Sequence, residues 1–133
     1  MDESQYERLQ QLLTIVSTVT GIPEESIRSK RRWGTWVAAR ILLFNLARRY
    51  MRITTVEAYP YFGHTEHTTL IYYMKMHKVH MESFENPNIT NELSQKYGAW
   101  YNYACDMAEN VPELVAGMEE AALYNVRKKN QRI

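Results

Sequence analysis

From Val37 to Tyr50 apolar side chains recur so densely at helical spacing that only a helix buried on most of its surface accommodates them. Val37, Ile41, Phe44 and Arg48 lie three or four residues apart, and Leu42, Leu43, Leu46, Ala47 and Tyr50 widen the apolar face. Such a helix needs other elements around it, and the flanking segments have the same period. Tyr6, Leu9, Leu12, Leu13, Val16 and Val19 predict a first helix, closed by Gly21 and Pro23. Pro23 and Glu24 open a short connecting turn from which Ile22 and Ile27 reach the core.

Beyond the central helix, Thr54 stands three residues before Glu57, the spacing of a capping box, and predicts a short helix that Pro60 stops from continuing. Phe62 and Gly63 mark a turn. The next helix is expected to start near Thr65 or Glu66 and to run through Thr69, Ile71, Tyr72, Met74, Lys75 and Met76 to about His80. Glu85, Asn86, Pro87 and Asn88 form the clearest break, after which Ile89 to Met107 and Pro112 to Val126 read as two more helices. Trp100, Tyr101 and Tyr103 with Leu114, Val115 and Leu123 are expected to join these as a small helical hairpin packed on the main domain or on a second copy. The fold class is all-α, with two helices split by a glycine-containing turn in helix-turn-helix order. The expected organisation is a main domain over 1–83, an accessory helical hairpin over 84–126 and a basic tail over 127–133.

A formal net charge of +1 hides a strong asymmetry. Arg28, Lys30, Arg31, Arg32, Arg40, Arg48, Arg49 and Arg52 are half of the 16 Lys and Arg, and no acid lies among them. Glu82 to Glu120 reverses the balance, with Lys96 as its single base. One part of the molecule therefore attracts polyanions. Downstream of the basic stretch, His64 to Leu70 supplies short hydrogen-bonding side chains suited to base edges. Together these features point to double-stranded DNA. The first twenty residues lack the apolar core of a secretion signal, no apolar run reaches membrane-spanning length, and Cys105 stands alone. A cytoplasmic chain with no membrane partner is expected.

Ser29, Lys30, Arg31 and Arg32 match a serine-lysine-arginine-arginine-like loop, and Arg40 and Arg48 match basic positions in a following long helix. Gly63, His64, Thr65, Glu66, His67, Thr68 and Thr69 align with a glycine-glycine-arginine-aspartate-histidine-threonine-threonine signature. On these blocks the region from about Leu12 to His80 resembles the C-terminal DNA-binding domain, of Trp-repressor-like fold, of the bacterial chromosomal replication initiator DnaA. The resemblance implies that Arg32 enters the minor groove while Thr65, Glu66, His67, Thr68 and Thr69 face bases in the major groove. It further implies phosphate contacts from Lys30, Arg31, Arg40, Arg48, Thr54 and Lys75. Thr65 stands where the signature has arginine, Glu66 where it has aspartate, and Trp33 and Gly34 enter the basic loop, so a different sequence preference is expected. No glycine-rich phosphate loop ending in Gly-Lys-Ser/Thr is present, so no nucleotide is expected. The implied role is a stand-alone protein at initiator-like sites, in replication initiation or its regulation by a phage or mobile element.

Other readings of the same residues remain open at this point. Arg40, inside an apolar pattern, is equally suited to covering apolar surface with its stem. His64, His67, His77 and His80 form two pairs with the spacing of metal ligands, but His67 is assigned to DNA and the other pair falls near a helix end that favours cations. No metal or cofactor is expected. Glu57, Glu66 and Cys105 lack local partners for catalysis, so no enzyme is expected. The main alternative is an interaction module that retains the helix-turn-helix. Trp100, Tyr101, Tyr103 and Tyr124 would then build an interface, the acidic residues of 82–120 would bind the basic domain of a replication initiator, and the C-terminal helices would offer a route to a homodimer.

Overall fold

The computed structural model describes residues 1–62 and 66–130, with the backbone alone for 125–130. Its helices are α1 (Glu3–Thr20), α2 (Glu24–Ile27), α3 (Gly34–Tyr50), α4 (Thr55–Ala58), α5 (His67–Glu85), α6 (Glu92–Ala108) and α7 (Pro112–Asn130). A 3-10 turn at Tyr59–Phe62 continues α4. The described residues contain no strand, so the fold they make is all-α. None of their helices is long and apolar enough to cross a membrane.

Local side-chain chemistry sets the starts of α1, α4 and α6. Asp2 accepts the Gln5 N–H at 2.8 Å while the Gln5 side chain accepts the Asp2 N–H at 2.9 Å, so α1 starts on a reciprocal cap. It ends where Gly21 takes a φ of +75°, a left-handed conformation that a side chain would strain. The Thr54 and Glu57 box also forms, with the Glu57 N–H donating to Thr54 Oγ1 at 3.2 Å. At α6 the Asn91 side chain accepts the Ser94 N–H at 3.0 Å, which starts that helix three residues after Ile89. Helix α5 continues past His80 to Glu85 because Met81 still packs on the core and the Phe84 ring lies against Gly98.

Helix α3 is the centre of the molecule. Leu42, Leu43, Phe44, Leu46, Ala47 and Tyr50 are wholly buried, and each such leucine contributes about 2 kcal/mol by leaving water. Around it pack α1, α2, α5, α6 and α7. Tyr97, Ala104, Cys105, Ala108 and Leu114 from the last two helices join the same buried cluster as α1 and α3.

The two C-terminal helices lie on the body of the protein. Helix α6 packs on α1, α3 and α5, and α7 packs on α3, while Tyr103 and Leu123 are 66% and 61% exposed. Close approach makes this seating possible. A Cβ at Gly98 would run into the Phe84 ring, and one at Gly117 would run into the Tyr50 carbonyl oxygen. Two glycines thus let α6 and α7 settle on the body of the protein. The first part of the 127–133 basic tail is a continuation of α7 through Asn130, and 131–133 lie outside the described residues.

Candidate nucleic-acid interface

The basic loop between α2 and α3 is held from beneath by Arg40. This side chain is 3% exposed, and its Nε donates to the Ile27 carbonyl at 2.7 Å. Its Nη2 donates to Ser29 Oγ at 3.4 Å and to the Arg31 carbonyl. Carbonyl dipoles, rather than a carboxylate, compensate the buried charge. Arg40 thus braces the loop, with its donors directed at the loop's own oxygens. Arg28 braces the next element, donating from Nε to the Tyr61 carbonyl at 3.1 Å with its guanidinium 3.9 Å from the Tyr61 ring centre.

Lys30, Arg31 and Arg32 are exposed, and no described acid pairs with them. Two of them, Lys30 and Arg32, line one side of a cleft of about 600 Å³, with Glu66, Thr69 and Tyr72 on the other. Val37, Arg40 and Tyr73 also line it. The loop and the start of α5, more than thirty residues apart in sequence, therefore share one face.

Helix α5 is fixed by its inner side. Leu70 and Tyr73 are buried, Phe62 meets Tyr73 edge to face at 6.3 Å, and Asn45 Nδ2 donates to the Tyr73 carbonyl at 3.1 Å. Burial pushes the Tyr73 phenol above its ordinary pKa, although Arg40 opposes the shift. The first turn of α5 has no side-chain cap, which leaves the positive end of its dipole open toward the cleft. Glu66, His67 and Thr68 are exposed, Thr69 is half-buried, and the His67 ring lies 6.5 Å from that of Tyr59.

The outer face of α5 carries residues that periodicity alone does not single out. Thr68, Ile71, Tyr72, Lys75 and Val79 follow one another at helical spacing on the exposed side. Ile71 and Tyr72 are each 52% exposed. In the sequence they merge with Leu70, Tyr73 and Met74 into one apolar run, so the usual sign of an inner face is blurred. A run of that kind on both faces of a helix was the available signal.

The other expected contacts lie elsewhere. Gly63, His64 and Thr65 are outside the described residues. Arg48 is exposed, but the length of α3 separates it from the loop by roughly 20 Å. Met51, Arg52 and Tyr124 neighbour it, and desolvation lowers its guanidinium pKa. The Thr54 hydroxyl belongs to the α4 cap, where it donates to Glu57 Oε1 at 3.0 Å. Burial alone would raise the Glu57 pKa, but hydrogen bonds from Thr54 and Gln5 outweigh it and hold the carboxylate below its usual range. Glu57 is thus a structural acid.

His77 and His80 face α6 rather than solvent. His77 Nδ1 is 2.6 Å from the Tyr97 hydroxyl and His80 Nδ1 is 2.9 Å from Ser94 Oγ. Burial, with Arg48 and His80 nearby, pulls His77 down to about 4, and burial lowers His80 as well. No three potential metal-ligating side chains cluster among the described residues. Of the aromatics considered for an interface, Tyr101 accepts from Arg49 at 2.9 Å, Tyr124 lies beneath Arg52 at 4.4 Å, Trp100 is half-buried, and Tyr103 is exposed.

Comparison with protein-family models, with curated proteins and with solved structures finds no match to this chain.

Proposed function

We propose that the chain binds double-stranded DNA, with α4 and α5 acting as a helix-turn-helix and the start of α5 entering the major groove. The observation that carries this reading is the shared cleft, in which unpaired Lys30 and Arg32 face Glu66 and Thr69 across the mouth of α5. With α5 in the major groove, the loop beside it meets the adjoining backbone and minor groove. Arg32 is then the minor-groove residue, and Lys30 and Arg31 bind phosphates.

Base edges are read by Glu66, His67, Thr68 and Thr69, joined by Thr65. A carboxylate accepts from cytosine N4, and a threonine methyl lies against a thymine methyl. Ile71 adds apolar surface on the same face, Lys75 and Arg48 bind the backbone further along, and Arg40 holds the loop in shape. The residue matches to the DnaA domain support the same roles, while Thr65 and Glu66 predict a preference of its own. A role in replication initiation or its regulation rests on that resemblance.

Selection from a random duplex library tests the reading. One enriched motif is expected. No enriched motif, together with no duplex complex at low salt, contradicts it. A second reading, a protein-interaction module, is favoured by Tyr103 and Met107, exposed one turn apart on α6. It predicts a protein complex that survives neutralisation of Lys30, Arg31 and Arg32.

A further inference from the structure

Trp33 is the one large aromatic in the basic loop, and it is 59% exposed. Its position is firmly set. As the residue before α3 it accepts the Val37 N–H at 2.9 Å, and its ring rests 4.6 Å from that of Trp36, tilted by 36°. Trp36 in turn packs on the core, so the outer indole stands on a fixed support. Immediately before it come Lys30, Arg31 and Arg32, three exposed cations whose loop Arg40 ties down.

Exposed indole surface is unfavourable in water, and three neighbouring cations exclude a basic partner while favouring a polyanion. Arg32 lines the cleft toward α5, whereas Trp33 does not. The indole follows Arg32 directly in the chain and stands outside that cleft. In a duplex docked on α5 that position corresponds to the minor groove next to the base pairs that Arg32 reaches.

Resting on the DNA-binding reading above, we propose that Trp33 is an apolar wedge that enters a base step from the minor groove and bends the duplex. Wedges of this kind partly unstack one step and kink the DNA toward the major groove. Such a bend turns the flanking backbone toward Arg48, near the end of α3, and Lys75, on the outer face of α5. Flexible pyrimidine–purine steps should be the favoured point of entry.

The test uses the full chain and a short mixed-sequence duplex with a fluorescence donor and acceptor at its two ends. At saturating protein and low salt, energy transfer should rise because the ends approach. Trp33→Ala should retain its far-ultraviolet circular dichroism, bind the duplex about tenfold more weakly and leave the transfer near that of free DNA. Trp33→Leu, which keeps an apolar wedge, should restore much of the bend. Binding by the unaltered chain without a rise in transfer overturns the wedge and leaves DNA binding standing, as does an Ala variant that bends DNA fully. Absence of any complex at low salt overturns the DNA-binding reading and the wedge together.

Discussion

Arg40 carries a positive charge into the interior and meets carbonyl oxygens there, which makes it the residue on which the shape of the basic loop depends. Arg40→Met keeps the stem and removes the donors, leaving the Ile27 and Arg31 carbonyls without them. Thermal melts should report a loss of roughly 1–3 kcal/mol. Duplex affinity should fall as well, because Arg31 and Arg32 lose their fixed positions; a variant equal to the parent in both would contradict the bracing role. The outward residues predict a different pattern. Thr68→Ala should reduce discrimination between duplex sequences more than total affinity, whereas Lys75→Ala should weaken all duplexes alike and reduce the salt slope by about one. Competition titrations with a selected and a scrambled duplex separate the two, and equal effects from both variants would contradict the division of labour.

Between elements, the two close contacts of the C-terminal helices decide how they attach. Gly117 leaves room for the Tyr50 carbonyl, so Gly117→Ala forces α7 away from α3 and should cost about 1–3 kcal/mol in a chemical denaturation. No change would mean that α7 is not held there. The α5 and α6 joint gives the stability a pH dependence. His77 has a folded pKa of about 4 against 6.5 for the free side chain, so between these values the unfolded chain binds more protons. Stability is therefore full above pH 6.5 and falls on acidification toward pH 4, by roughly 1–2 kcal/mol once solvent screening at the partly exposed ring is allowed for. His77→Gln should remove the larger part of that slope, and an unchanged slope would contradict the assignment. The central helix, the first helix and the Thr54 cap were all legible from spacing, since each depends on neighbours within a few residues. Spacing did not decide between seating α6 and α7 on the main body and on a second copy, because a glycine's use in close packing depends on what faces it. The same limit hid the exposure of Ile71 and Tyr72 and the loop-facing direction of Arg40.

For the molecule as a whole, one buried cluster centred on α3 carries both the N-terminal helices and parts of α6 and α7, and the Arg8 to Glu120 ion pair at 3.0 Å adds a link between the ends of the chain. On this frame four of the eight residues of the basic stretch, Arg28, Arg40, Arg49 and Arg52, engage backbone or aromatic groups of the protein itself. Lys30, Arg31, Arg32 and Arg48 have no ion pair with a described acid. That division, more than net charge, is what suits the protein to a polyanion. The most direct test is the affinity for duplex DNA measured across a range of salt. Four phosphate contacts, from Lys30, Arg31, Arg48 and Lys75, predict a slope of roughly −4 in log affinity against log salt, and neutralising Lys30 and Arg31 together should remove about two units of it. A slope near zero, or no duplex complex even at low salt, would contradict the account.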